Sequence, residues 1–417
     1  RRLAVVVYCH RNFVKMKRNS LPNDKPVVEK TVKIQLPEGK LGLRLALVIA
    51  LIILAVASFA LGINSLVSTD AGLAEITALS GEMNAGSSFT FYYNLGYDGA
   101  DATDERRELR SIYTEAATDA LKLFDADIEA EDCNNLYYIN QHPNEAVSVD
   151  AALYSALEEL EASGTRYHFL APLYAQYHAL CSSVSDEEAA QYDPRLDAAQ
   201  GEFFAEVAAF ASDETAVDIE LLGDGKVMLS VSGEYLDFAK ANGISGFVDL
   251  AWLENAFIAD YMAEVLTEAG YTRGALISDD GFMRCLDDET GTEYSFNFSH
   301  RDGSTVTNLA ALQFSGRVSI VYLHDYPLEN SDGGGYYLYG NGELRSSFLD
   351  PEDGLDRSSI PELCGYSFDS GCAGLALKLA PLFIADTLDA DELEMLEIAG
   401  ITVYYTDNGA LCSTADA

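Results

Sequence analysis

Positive charge is scarce in this chain. Its 417 residues hold 26 Lys and Arg against 67 Asp and Glu, a net charge of −41. Nucleic acid is excluded as a partner, because so acidic a surface repels a phosphate backbone. The acids are spread along the chain and read as a solvated surface. The motifs GxGxxG, GxxxxGK[ST], HExxH and GxSxG are all missing. That removes the common dinucleotide, P-loop, zincin and nucleophile-elbow chemistries. No Asp-x-Asp-x-Asp-Gly loop offers a calcium site, and no CxxC pair offers a zinc or redox motif. The six histidines show no metal-ligand spacing, and His168 and His178 lie in an aromatic stretch that reads as packing.

What the chain does have is one long apolar run. Leu45 to Ile63 holds nineteen residues without a charge, the length a helix needs to cross ~30 Å of hydrocarbon. Residues 1–44 carry eleven Lys/Arg against three Asp/Glu, a net of +8; the rest carry fifteen against sixty-four, a net of −49. Short basic flanks stay in the cytoplasm, so the expectation is a single-pass cell-membrane protein with its acidic C-terminal part outside. A cleavable signal is the alternative, with Ser58-Phe59-Ala60 as a small-x-small site. Met16-Lys17-Arg18 looks like a natural start, which would make residues 1–15 an over-extended reading frame. Six of the seven cysteines (Cys133, Cys181, Cys285, Cys364, Cys372 and Cys412) follow the apolar run. They would lie in an oxidising place, and six cysteines allow fifteen pairings.

Residues 64–84 are small and polar and read as a tether. Ser88–Tyr93 reads as a strand, and a helix begins near Thr103 with Leu109, Ile112, Tyr113, Ala116, Ala120, Leu123 and Phe124 on one face. Ser148 is the expected cap of a second helix that ends at Gly164. Residues 184–215 suggest a helical pair, and 217–232 suggest strands. An amphipathic helix spans 252–269, with Leu253, Phe257, Tyr261, Val265 and Leu266 inward and Glu254, Glu264 and Glu268 facing water. Ala275–Ile277 reads as a buried strand and 317–323 as another strand. Helices at 371–385 and 389–399 precede a strand at 401–405, and 409–417 reads as a tail. Strands and helices alternate irregularly without repeats, which gives an α+β fold.

Several short signatures recur in order. Val248-Asp249-Leu250 runs into a helix that carries Asp260, and an Asp280-Gly281-Phe282 turn follows Ala275–Ile277. Later come His324-Asp325-Tyr326 and Phe348-Leu349-Asp350-Pro351-Glu352-Asp353-Gly354, then a helix rich in small residues. Over residues 85–408 this set resembles the FAD:protein FMN transferases, the ApbE-like family. That resemblance implies a mixed sheet-and-helix, T-fold-like domain outside the membrane, FAD as the flavin source, and FMN transfer to a Thr or Ser of a partner flavoprotein. It carries flavin-nucleotide binding onto Asp249, Asp260, Gly281, Asp325, Tyr326, Asp350, Pro351, Gly354 and Lys378.

The departures are as informative. The family's V-D-L-G-G-x-x-K reads Val248-Asp249-Leu250-Ala251-Trp252-Leu253-Glu254-Asn255, with Trp252 where a glycine lets backbone approach the ligand. The histidine before Asp-Pro is Ser347. The magnesium-binding Asp and Thr fall on Gly374 and Lys378, which offer no oxygen ligand. Of an upstream S-E-x-x-x-x-N segment only Asn140 remains, and the F-D-P turn reads Phe169-Leu170-Ala171. Pyrophosphate cleavage needs charge stabilisation on the leaving oxygens, so these losses point to a slow or inactive transferase. The alternatives are a catalytically inactive binding or scaffold protein on the same fold, or an acidic surface protein with an echoing core. Each retained residue also has a plain structural reading. Asp350–Gly354 is a good turn sequence in any protein, Asp249 and Asp260 can cap and solvate the 252–269 helix, and Lys378 can lie at a helix edge.

Overall fold

The computed structural model describes residues 69–79, 84–303, 305–328 and 335–416. All of them fall in one unit, Val67–Ala417. The expected membrane segment 45–63 and its basic leader lie outside the described residues. Among those described, no helix is long and apolar enough to cross a membrane.

Strand β1 (Gly72–Ile76) pairs antiparallel with β2 (Phe89–Leu95). Gly72–Ile76 was expected inside a tether; as an edge strand it buries Ile76 and leaves Leu73 and Glu75 exposed. Helix α1 (Ala102–Phe124) is capped by Asp101, whose carboxylate accepts from the Thr103 and Asp104 N–H groups. Its buried stripe runs through Leu109, Tyr113, Ala116, Ala120, Leu123 and Phe124, as helical spacing requires.

A smaller lobe follows. It contains α2 (Leu136–Gln141), β3 (Ala146–Ser148), α3 (Ala151–Ser163), α4 (Ala171–Cys181), α5 (Asp186–Ala189), α6 (Ala198–Ser212), β4 (Val217–Gly223), β5 (Lys226–Val231) and α7 (Gly233–Asn242). The three strands form a sheet of order β3-β5-β4. Ser148 belongs to β3 and does not cap α3. Asp150 does, two residues on, by accepting from the Ala152 N–H at 2.8 Å.

One 3-10 turn, Ala251–Leu253, leads into α8 (Glu254–Glu268). Glu254 is half-buried there instead of facing water. Then come β6 (Gly274–Ser278), β7 (Phe282–Cys285), the hairpin β8 (Tyr294–Asp302) and β9 (Thr305–Phe314), and β10 (Val318–His324). A short hairpin of β11 (Tyr336–Leu338) and β12 (Leu344–Ser346) precedes β13 (Glu362–Ser367), α9 (Cys372–Phe383), α10 (Ala390–Ile398), β14 (Thr402–Asp407) and β15 (Ala410–Ser413). Ala410–Ser413 was expected in a tail, yet it pairs with β14 and ends the sheet.

Eight strands make the main sheet, in the order β1-β2-β6-β7-β10-β13-β14-β15, every pair antiparallel. Both faces of its centre are covered. On β10, Val321 and Leu323 join the core shared with α1, α8 and α9, while Val318, Ile320 and Tyr322 join a second core under the β8–β9 hairpin. Burial on both faces is why β10 has no polar alternation, and each such side chain contributes roughly 1.5–3 kcal/mol. Cys133, Cys181, Cys285, Cys364, Cys372 and Cys412 are all unpaired thiols.

Candidate functional site

A cleft of about 840 Å³ opens where the sheet meets the smaller lobe. The sheet side supplies Ser88 before β2, the Asp279–Asp280 turn after β6, and Leu323–His324 at the end of β10. The lobe side supplies Asn140 of α2, Tyr174 and Tyr177 of α4, and the segment 242–249. Trp252 and Asn255 enter from the start of α8, and Tyr336 and Phe348 close the remaining side.

Polar bonds fix the segment that carries Asp249. The buried amide of Asn140 accepts from the N–H groups of Phe247 and Val248, each at 2.9 Å, and donates to the Val248 carbonyl at 2.8 Å. Asp249 follows, and its carboxylate accepts from the Ala251 N–H at 2.8 Å. Its own N–H donates to the carbonyl of buried His168. Ala251 sits at φ 48°, a left-handed conformation that glycine adopts without cost and alanine does not. The backbone thus keeps a glycine's shape at a position the sequence fills with alanine. Trp252 then projects into the cleft wall, its ring edge-on to Tyr167 and 5.3 Å from Phe348 between centroids.

The cleft is acidic. Asp127, Asp249, Asp279 and Asp280 line it. Burial raises the Asp249 carboxyl to about 6, with the charges of Asp127 and Asp125 adding to the effect. Burial raises Glu254 to about 8, assisted by Asp249, Asp125 and Asp280. Asp280 faces the open cleft yet is ringed by protein, and this desolvation raises its carboxyl despite the Asn255 amide that donates to it at 2.8 Å.

The nine candidate residues from the sequence fall in separate places. Asp249 lines the cleft. Gly281 stands beside Asp280 at φ +106°, where a Cβ would collide with the Tyr322 carbonyl, so close strand approach requires glycine. Asp325 turns away and accepts from Ser358 Oγ at 2.6 Å; burial raises its carboxyl to about 6. Tyr326 is fully buried, with its hydroxyl donating to the Ser299 carbonyl at 3.2 Å. Asp350, Pro351 and Gly354 form a turn outside the cleft lining. Asp350 pairs there with Arg357 at 3.2 Å, the Pro351 carbonyl accepts from Ser212, and Gly354 packs against Leu173 at φ +76°.

Asp260 caps the start of α9 and Lys378 lies further along that helix, both outside the cleft lining. The Asp260 carboxylate accepts from the N–H groups of Cys372 and Ala373 at 2.9 and 2.8 Å, and Arg284 lies 3.6 Å away. Magnesium does not fit the residues here. Gly374 has no ligand atom, and a Cβ on it would strike Glu159 Oε1. Lys378 places an ammonium nearby, 3.4 Å from Ser370 Oγ. Its charge lowers the Glu159 carboxyl, which burial and Asp260 raise. Among the described residues no three His, Cys, Asp or Glu converge on a metal position.

No protein-family model and no curated protein sequence matches the chain. Solved structures do share its fold. An ApbE protein from Thermotoga maritima aligns with a TM-score of 0.57 at 14% identity, over 82% of this chain and 96% of its own. The flavin transferase ApbE from Vibrio cholerae gives 0.54 at 14% identity, over 82% and 97%. The flavinyl transferase ApbE from Pseudomonas stutzeri gives 0.51 at 11% identity, over 83% and 94%. The mixed helix-and-sheet architecture of this chain is therefore an ApbE-like fold.

Proposed function

We propose that this protein binds a flavin in its cleft and holds it without transferring it, as a binding or scaffold protein outside the cell membrane. The observation that carries this reading is an aromatic-walled cleft at the Val248-Asp249-Leu250 segment, set in an ApbE-like fold. Trp252, Tyr174, Tyr336 and Phe348 offer the apolar walls a flat ring needs, and Asn255 and Gln141 offer amide groups. Against transfer stand Gly374, which offers no ligand atom, and the ammonium of Lys378 where the resemblance expects a divalent ion. The apolar run 45–63 and the basic leader support a membrane tether.

A second reading keeps FMN transfer from FAD to a Thr or Ser of a partner flavoprotein. One observation favours it: Asp249, at about 6, is tuned near working pH for accepting a hydroxyl proton. Incubating the full chain with FAD, Mg²⁺ and candidate acceptor flavoproteins separates the two. The binding reading expects quenched flavin fluorescence and no acceptor mass gain. A covalent FMN adduct on an acceptor would establish transfer instead.

A further inference from the structure

The charge of the cleft points to a narrower ligand than the fold alone suggests. Resting on the flavin-binding reading, we propose that the cleft selects an uncharged flavin, riboflavin, over its phosphorylated forms FMN and FAD. Its described lining includes four aspartates, Asp127, Asp249, Asp279 and Asp280, and neither lysine nor arginine. A diphosphate placed among them meets repulsion with no lysine or arginine to offset it, His178 and His324 being the only imidazoles of the described lining. Beyond the leader the chain carries sixty-four acids against fifteen bases, so the long-range field opposes an approaching anion too.

The same lining suits a neutral flavin. Carboxylates accept hydrogen bonds, and riboflavin offers its ring N3–H and four ribityl hydroxyls as donors. The Asn255 amide and the Asp280 carboxylate already pair at 2.8 Å, which presents a donor and acceptors side by side. Trp252 and Phe348 supply the aromatic wall. Where Asp249, Asp280 and the neighbouring Glu254 hold protons, they lose repulsion toward phosphate but also become donors; lowering the pH therefore narrows the selectivity.

Titrating the full chain with riboflavin, FMN and FAD at pH 8 and low salt tests this, read by quenching of flavin fluorescence. The expected order is riboflavin, then FMN, then FAD, with at least about tenfold between the first and last, which is ~1.4 kcal/mol. Added salt narrows that gap by screening the carboxylates. Asp280→Asn narrows it as well, in protein whose melting temperature shows it to be folded. Equal or tighter binding of FAD overturns the selectivity and leaves the flavin reading standing. No binding of any of the three overturns the flavin reading, and the selectivity with it.

Discussion

Asn140 and Val248 grip each other at both ends of one amide: the side-chain nitrogen donates to the Val248 carbonyl at 2.8 Å, and the side-chain oxygen accepts its N–H at 2.9 Å. With the Phe247 N–H also bound to that oxygen, one buried side chain satisfies three backbone groups 107 and 108 residues away. Asn140→Ala leaves those groups unpaired in the interior, at a cost of about 2–4 kcal/mol. The expected result is a melting temperature lower by several degrees and weaker flavin binding, since Asp249 follows directly. An unchanged melting curve and unchanged binding would show that the 247–249 backbone is held by other means.

Asp260 performs a structural task at a position where the resemblance expects ligand binding. It caps the N-terminus of α9 across 112 residues of sequence. Asp260→Ala should destabilise the protein by about 1–2 kcal/mol through the lost cap and uncovered N–H groups. Lys378→Ala, exposed on the same helix, should change stability by less than about 0.5 kcal/mol. Urea midpoints for the two variants check the contrast; equal effects would count against the capping role.

These two residues show which parts of the structure were readable beforehand. β6 announced itself by the short apolar run Ala275–Ile277, and α1 by its period, because burial on one or both faces dictates those patterns directly. Asn140 was visible as the surviving member of a motif, but its partners were not. The role of Asp260 was hidden for the same reason: local sequence assigned it to its own helix, and only the fold brings Cys372 beside it. Asp325 and Tyr326 stood in the expected order, yet the end of β10 turns them away from the cleft. Cleft walls were missed because they looked like core: Tyr174 lay in a stretch read as packing, and Phe348 beside a turn motif. The β8–β9 hairpin was missed too, although Asp302-Gly303, with Gly303 at φ 60°, gave a turn signal between two alternating runs.

Acid crowding at the cleft makes stability depend on pH. Glu254 moves from 4.5 in the unfolded chain to about 8 in the fold. Between those values the folded state keeps a proton that the unfolded state has released, so stability falls as pH rises. Asp249, moved from 3.8 to about 6, acts in the same direction over a lower window. Glu254→Gln removes the cost of ionising a buried acid. It should stabilise the protein by about 2 kcal/mol at pH 8, since side-chain relaxation and water screen part of the full shift. Near pH 4 it should change little. Urea unfolding at both pH values is the measurement, and an equal effect at the two would remove Glu254 as the titrating group.

Ala251 offers the most direct test of the left-handed turn into α8. Its φ of 48° lies in the left-handed region, where a Cβ crowds the following carbonyl and costs about 1–2 kcal/mol. Two neighbours hold it there: its N–H is bound by the Asp249 carboxylate, and its carbonyl accepts the Glu254 N–H as α8 begins. Glycine at 251 would relieve the crowding but lose more chain entropy on folding, by roughly 0.5–1 kcal/mol. The net expectation for Ala251→Gly is a gain of about 0.5–1 kcal/mol, against the usual penalty for placing glycine beside a helix. The matched control is Ala256→Gly inside α8, buried and right-handed, where loss of about 1 kcal/mol or more is expected. If both substitutions destabilise alike, then the alanine conformation at 251 carries no strain, and the turn into α8 is not shaped for glycine.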